Sequence, residues 1–69
     1  MKFSARNVFS GKITNIVEGP VSTELTLRIA KGIEIVSVIT TQSARRLKLK
    51  KGKKAQALIK ADSVIVGVG

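Results

Sequence analysis

The sequence predicts an all-β domain, a small five-stranded barrel with one short helix between the third and fourth strands. Apolar and polar residues alternate at a period of two over much of the chain, as in strands with one buried face. β-Branched residues dominate these runs, and glycine-containing turn signals end them after a strand's length. Helical character is confined to one short segment in the second half of the chain.

The first two predicted strands are separated by a clear turn signal. The first covers Lys12–Val17 and ends at Glu18-Gly19-Pro20, and the second covers Val21–Ile29. Ala30-Lys31-Gly32 then places a glycine where positive φ is expected, so the second and third strands should form an antiparallel hairpin. The predicted core face of the second strand consists of Val21, Thr23, Leu25, Leu27 and Ile29.

The third predicted strand, Ile33–Thr40, is apolar on both faces. Val36 and Val38 share one face, and the opposite face carries Ile33, Ile35, Ser37 and Ile39. A strand with two apolar faces is typically covered on both. In so small a domain, we expect the second cover to be another subunit, the alternative being unusually deep burial within the chain.

One segment, Thr41–Leu47, has helical character. Thr41 or Ser43 would cap its N-terminus, and Leu47 would pack the helix onto the barrel. A basic loop, Lys48–Lys54, follows it and is typical of a solvated surface loop.

Two strands complete the predicted barrel. Ala55–Ile59 forms the fourth strand, in which small alanines permit close approach of a neighbouring backbone. Val64–Val68 is almost wholly apolar and forms the fifth. This order of elements resembles a small Greek-key barrel of the oligonucleotide/oligosaccharide-binding (OB) type.

The size of the chain predicts self-association. Its 69 residues make one domain, and a domain this small is marginally stable alone. Cysteine and histidine are both absent, which removes disulfides and most structural metal sites as stabilising devices. Mean hydropathy is +0.20 although 25% of the residues are charged, so the apolar residues exceed what one small core needs.

The formal net charge is +9, and seven of the 13 basic residues fall between Arg45 and Lys54. Such an excess solubilises the chain or attracts an anionic ligand, a nucleic acid or an anionic membrane. The sequence lacks an apolar run long enough for a signal peptide or for a membrane span of about 20 residues. We therefore expect a cytoplasmic protein without a membrane partner.

Catalysis is not expected of this composition. Without histidine or cysteine, the commonest general base and the strongest nucleophile are missing. The four carboxylates show no spacing suited to acid/base work or to a divalent cation; they are Glu18, Glu24, Glu34 and Asp62.

Nucleic-acid binding is the main alternative, because a basic barrel of this kind is a familiar nucleic-acid module. The Arg45–Lys54 region would supply the electrostatic contacts. Single-strand binders also need aromatic stacking platforms, and the chain has only Phe3 and Phe9, both near its start. Nucleic acid is therefore the less favoured partner.

Two stretches near the ends of the chain carry the remaining chemistry. Ser4-Ala5-Arg6-Asn7 and Lys60-Ala61-Asp62-Ser63 each offer a hydroxyl, backbone N–H groups and one cation. Neither contains a nucleophile–base pair. Charge-assisted hydrogen bonds from such groups suit the holding of a small oxyanion. We expect the rest of the chain to bring these two stretches together.

The layout of Ser4–Asn7, Gly11, Ile39-Thr40, Gly52 and Ile59–Ala61 resembles the molybdate-binding Mop proteins, the molbindins, over essentially all of residues 1–69. The resemblance implies a single Mop domain in a small cytoplasmic protein that binds molybdate for storage or homeostasis. It also implies a hexamer built as a trimer of dimers, with oxyanion sites at subunit interfaces. Relatives of the domain occur fused to molybdate-dependent regulators and transport ATPases.

The resemblance also implies which residues bind the anion. Ser4 and Arg6, with backbone from Ala5, fall on the first binding segment, and Lys60 and Ala61 fall on the second. Many relatives have serine after that alanine. Asp62 stands there in this chain, followed by Ser63, which would supply the hydroxyl instead.

Two further expectations concern the ligand. Tungstate is nearly the same size as molybdate and should bind similarly. The hydroxyl-rich helix start is a candidate second oxyanion site, although an ordinary capped connector helix is the alternative; its residues are Thr40, Thr41 and Ser43.

Overall fold

The computed structural model describes residues 4–69, so Phe3 lies outside the described range. Most of the secondary structure is β-strand, and one short helix follows the third strand. The all-β prediction is therefore confirmed. In chain order the elements are β1 (Asn7–Glu18), β2 (Ser22–Ala30), β3 (Ile33–Thr40), α1 (Thr41–Arg46), β4 (Lys54–Ile59) and a 3₁₀ turn (Ala61–Ser63).

The strands form one open antiparallel sheet in the order β3-β2-β1-β4. The predicted β2–β3 hairpin is confirmed, with φ of 77° at Gly32. β1 begins earlier than predicted, because its first half (Asn7–Lys12) pairs with β4 while its second half (Lys12–Glu18) pairs with β2. β1 is therefore the strand that connects the two halves of the sheet.

The core lies on one face of the sheet, where β1 and β2 pair. Ile13 and Leu27 are 1% and 2% exposed, and Leu25 is also buried. The predicted core face of β2 is confirmed apart from Val21, which precedes the strand and is exposed. Partly buried residues surround this cluster: Ile16, Ile29, Ile39, Leu49, Ala55 and Ala57.

Gly11 permits the close crossing of β1 and the end of β2. A Cβ built at this position would lie 2.5 Å from the carbonyl oxygen of Arg28 and 2.8 Å from Cδ1 of Ile29. The nearest atom, the Arg28 oxygen, belongs to the backbone, which cannot move away as a flexible side chain can. A residue without a side chain is therefore required where β1 passes from one partner strand to the other.

Replacing Gly11 by alanine should destabilise the fold by about 1–3 kcal/mol, because the added methyl group forces the backbone of Arg28 away from β1. Urea denaturation measures this loss. Gly67→Ala is the matched control, since a Cβ at Gly67 meets nothing within 4 Å. Equal unfolding free energies for the two variants would contradict the close approach.

The outer face of β3 is exposed within the chain. Val36 and Val38 are 59% and 65% exposed, whereas Ile35, Ser37 and Ile39 on the opposite face are half-buried. The alternative of deep intramolecular burial is therefore wrong for the described residues. Coverage of this face by a second subunit stays a prediction.

The predicted fifth strand is not formed by the described chain. Residues 64–69 have no strand assignment, and Ile65, Val66 and Val68 are 94%, 85% and 99% exposed. A strand requires a neighbouring strand to hydrogen-bond with, and an apolar sequence pattern cannot show whether that neighbour exists. The prediction of five strands is thus wrong for a single chain, in which four are seen among residues 4–69.

The helix is capped one residue earlier than predicted. Oγ1 of Thr40, rather than that of Thr41 or Ser43, accepts a hydrogen bond from the backbone N–H of Ser43 at 3.1 Å. The predicted anchor is also wrong, because Leu47 is 52% exposed whereas Ala44 is buried. The small alanine lets the helix backbone lie close to the sheet.

Thr41 connects the helix to the β1–β2 turn. Its hydroxyl donates to the carbonyl oxygen of Gly19 at 2.6 Å, and it lies 2.8 Å from the hydroxyl of Thr23. Since a hydroxyl has one proton, Thr23 is the donor in the second bond. Both threonines are buried, at 4% and 1% exposure.

Replacing Thr41 by valine should lower the free energy of unfolding by about 1–3 kcal/mol, because the carbonyl of Gly19 and the hydroxyl of Thr23 each lose a buried partner. Thermal and urea denaturation test this. Thr14→Val is the control, since its long 3.4 Å bond to the carbonyl of Thr26 contributes little. A Thr41 variant as stable as the control would contradict the assignment.

Candidate oxyanion-binding site

The pairing of β1 with β4 brings the two polar end stretches together. The ladder runs antiparallel and ends at the pair Asn7–Ile59, so Ser4–Arg6 and Lys60–Ser63 leave the sheet at the same end. Nδ2 of Asn7 also donates to the carbonyl oxygen of Ile59 at 3.2 Å. A cross-strand side-chain contact thus reinforces the ladder at the point where the candidate site begins.

A 3₁₀ turn shapes the second stretch. The N–H of Ser63 donates to the carbonyl of Lys60 at 2.9 Å, and the N–H of Val64 donates to that of Ala61 at 3.3 Å. The first N–H groups of such a turn have no acceptor within it. The backbone of Ala61 and Asp62 therefore offers donors beside the hydroxyl of Ser63.

Almost every residue of this candidate site is open to solvent in the single chain. Ala5 and Asn7 are half-buried, and the exposed members are Ser4, Arg6, Lys60, Ala61, Asp62 and Ser63. An exposed set of donors competes with water for an anion, and the interaction of charges in water is weak. The single chain therefore does not enclose an anion at these residues.

The local charge is positive. The two stretches carry two cations, Arg6 and Lys60, and one carboxylate, that of Asp62. The ion pair found within residues 4–69 lies elsewhere, so Asp62 forms none with either cation. Both cations are exposed and not paired with Asp62, although its carboxylate would repel an anion that came close to it.

The ion pair that does form joins Arg45 of α1 to the end of β1. Nε of Arg45 donates to Oε1 of Glu18 at 3.1 Å. This hydrogen bond and the charge of Glu18 raise the pKa of Arg45 above its ordinary value. The side chains are 71% and 51% exposed, so the pair contributes little stability, as exposed pairs generally do.

At the helix start, unlike in the end stretches, threonine hydroxyls donate hydrogen bonds within the chain. Thr40 donates to Oγ of Ser43 at 2.7 Å while capping the helix, and the proton of Thr41 is used by Gly19. Thr41 is also buried, so its hydroxyl does not face an incoming anion. A second oxyanion site here stays a prediction for Thr40 and Ser43.

Sequence reasoning missed a role for Lys53 in the basic loop. Its Nζ donates to the carbonyl of Leu47 at 2.8 Å and to that of Lys48 at 3.3 Å. Leu47 caps the C-terminus of α1 and Lys48 follows it, and a cation beside a helix C-terminus interacts favourably with the helix dipole. The only signal in the sequence for this contact is a lysine a few residues after the helix. Many surface lysines occupy such positions, so the signal is not specific.

No helix among residues 4–69 is long and apolar enough to cross a membrane.

Comparison with known proteins places this geometry in a family. The TOBE domain family matches residues 4–66. The molybdenum transport protein ModE of Herbaspirillum seropedicae is 52% identical over 96% of this chain, although the chain spans 24% of that protein's length. A probable molybdenum-pterin-binding protein of Haemophilus influenzae is 41% identical, over 99% of both chains.

The fold has a solved counterpart. The crystal structure of ModG, a cytoplasmic molybdate-binding protein, with molybdate bound superposes with a TM-score of 0.95 at 42% identity. It covers 100% of this chain, which corresponds to 49% of the ModG chain. The match to the family over 4–66, together with the relative of equal length, shows that this chain belongs to the TOBE domain family and is a domain of the molbindin (Mop) type.

Proposed function

We propose that this chain binds molybdate reversibly and without catalysis, for molybdenum storage or homeostasis in the cytoplasm. The observation that carries the proposal is the β1–β4 ladder, which places two hydroxyl- and cation-bearing stretches at one end of the sheet. The names of the similar proteins, molybdate-binding and molybdenum-pterin-binding, support the choice of ligand.

The donor set fits a tetrahedral dianion. Molybdate has equivalent acceptor oxygens that point in several directions, so it needs donors that converge from several directions. Ser4, Arg6 and the backbone beside Ala5 would approach from the β1 side. Lys60, the 3₁₀ turn and Ser63 would approach from the β4 side, with the carboxylate of Asp62 turned away. Charge-assisted bonds of this type are the strongest available to a protein without a metal.

Selectivity must come from size. Sulfate has the same charge and shape as molybdate but is smaller, so the same donors would hold it at longer distances. Tungstate is nearly the size of molybdate and would bind similarly. Phosphate differs because it carries a proton at neutral pH. Its O–H group would meet hydrogen-bond donors of the site where it needs an acceptor.

A second copy of the chain would complete the site. The single chain leaves the donors exposed, the outer face of β3 uncovered and the apolar tail, residues 64–69, without a strand partner. Addition of the tail to a sheet edge of another copy would supply the fifth strand of a Greek-key barrel and bury all three features together. Repetition of such contacts in a trimer of dimers would give a hexamer with oxyanion sites between subunits.

Calorimetric titration with molybdate, tungstate, sulfate and phosphate tests the function. We expect molybdate and tungstate to bind at least about 100-fold more tightly than sulfate, a difference of about 2.7 kcal/mol. Equal affinity for all four anions would leave only general charge attraction and would refute the proposal.

A further inference from the structure

A row of three cations crosses the sheet far from the oxyanion site. In the strand registers, Lys12 of β1 lies opposite Arg28 of β2 on one side and opposite Lys54 of β4 on the other. Side chains directly opposite each other project from the same face of a sheet, so the three cations stand side by side. All three are exposed. We call Arg28, Lys12 and Lys54 the cationic row.

The row lacks compensating acids. Glu34 lies opposite Arg28 at the outer end, but no ion pair joins them, and the ion pair within residues 4–69 involves neither. Like charges placed directly opposite on neighbouring strands destabilise a sheet. A cluster that works against the stability of its own fold is expected where the charges serve a ligand.

The row borders a groove that can hold a small molecule. The groove has a volume of about 540 Å³, within the range of about 300–1,000 Å³ typical of ligand sites and far larger than one tetrahedral oxyanion needs. The backbone of Gly11 contributes to its lining. The cross-strand pair Ser10–Gln56 adds two hydrogen-bonding side chains next to the cations.

The groove is separate from the oxyanion site. Its lining residue nearest to the oxyanion site is Ser10 of β1, whereas the oxyanion site begins at Asn7 on the same strand. At about 3.3 Å per residue, Ser10 lies roughly 10 Å from Asn7 along β1, and Lys12 of the cationic row lies roughly 16 Å from it. A ligand held by the row and an anion at the strand end would therefore occupy different places on β1.

We propose that this groove binds a nucleotide-like molecule, a phosphorylated ring compound carrying several negative charges. Adjacent strands are about 4.8 Å apart, so the row spans roughly 10 Å, long enough for consecutive phosphates of one chain. The phosphates lie along the row. The ring lies over Gly11 and donates to or accepts from Ser10 and Gln56. This inference does not depend on the molybdate site.

Titration of the full chain with ATP, inorganic triphosphate and adenosine tests the proposal. ATP should bind more tightly than triphosphate, and adenosine should bind weakly. In the variant Lys12→Gln/Lys54→Gln, the affinity for ATP should fall at least about tenfold, because two charge-assisted contacts are lost. Gln56→Ala should reduce the preference for ATP over triphosphate.

Lys50→Gln/Lys51→Gln is the matched control, since it removes the same charge from the exposed basic loop. It should weaken ATP binding less than about twofold at 0.15 M salt. The groove variant should retain its molybdate affinity, and its melting temperature should rise by about 1–5 °C as repulsion is relieved. A lower melting temperature in the groove variant would contradict the repulsive row.

Three results would overturn the assignment. The first is the absence of ATP binding to a chain that binds molybdate. The second is an equal loss of ATP affinity in the groove variant and the control variant, which would show diffuse attraction. The third is displacement of ATP by a single-stranded decanucleotide at a lower concentration of phosphate groups, which would assign the row to nucleic acid.

Discussion

Replacement of Lys60 by alanine should weaken molybdate binding by about 10- to 100-fold, because a charge-assisted hydrogen bond to the dianion is worth about 1.5–3 kcal/mol. Lys60 is exposed and lies at the end of β4, where the 3₁₀ turn begins. The fold should therefore tolerate its loss, and the melting temperature should stay close to that of the parent. Calorimetric titration with molybdate at constant salt measures the change in affinity.

The control for this variant is Lys51→Ala, which removes one exposed charge from the basic loop. At 0.15 M salt, a charge more than about 8 Å from the anion is largely screened, so the control should change the affinity less than about twofold. Equal losses in Lys60→Ala and Lys51→Ala would mean that overall charge attracts the anion, and that Lys60 makes no direct contact. Arg6→Ala provides an independent check from the other stretch, with a loss of similar size.

Substitution of both Ile65 and Val66 by aspartate should dissociate the proposed assembly. These side chains are 94% and 85% exposed in the single chain, so the change costs a monomer almost nothing. Burial of two such residues against a partner stabilises by about 1.5–3 kcal/mol each, and the new carboxylates would be buried there without partners. The dissociation constant of the assembly should therefore rise more than about 100-fold.

Light scattering coupled to size-exclusion chromatography measures this outcome. The variant should elute near the 7.4 kDa mass of one chain, whereas the parent should elute at a multiple of it. Val21→Asp is the control, because this valine is 73% exposed and lies in the β1–β2 turn rather than in the tail. Retention of the parent's mass by the tail variant would exclude the tail from the interface.

The sequence predicted those parts of the fold that depend on local alternation. The bounds of β3 agree with the structure because both of its ends carry local signals: Gly32 precedes it, and the change to helical character at Thr41 ends it. The first half of β1 was missed, since its partner β4 lies far away in the chain and its exposed Val8 and Phe9 do not alternate as a buried face would.

The residues of the candidate site could be named from the sequence, but what surrounds them could not. Ser4–Asn7 and Lys60–Ser63 were identified by their donors, and long-range pairing brings them to one end of the sheet. The environment of the Asp62 carboxylate and of the exposed tail could not be predicted from the sequence. In the proposed assembly, contacts between copies would neutralise the first and cover the second, and the alternation of residues within one chain does not encode a partner's position.

Native mass spectrometry of the protein titrated with molybdate tests most directly the central claim that copies of this chain enclose the anion together. We predict an assembly whose mass is a multiple of 7.4 kDa and which retains molybdate in a defined number per chain, whereas the tail variant is monomeric and retains none. A monomeric parent chain that holds molybdate as tightly as any assembly, or an assembly that retains none, would contradict it.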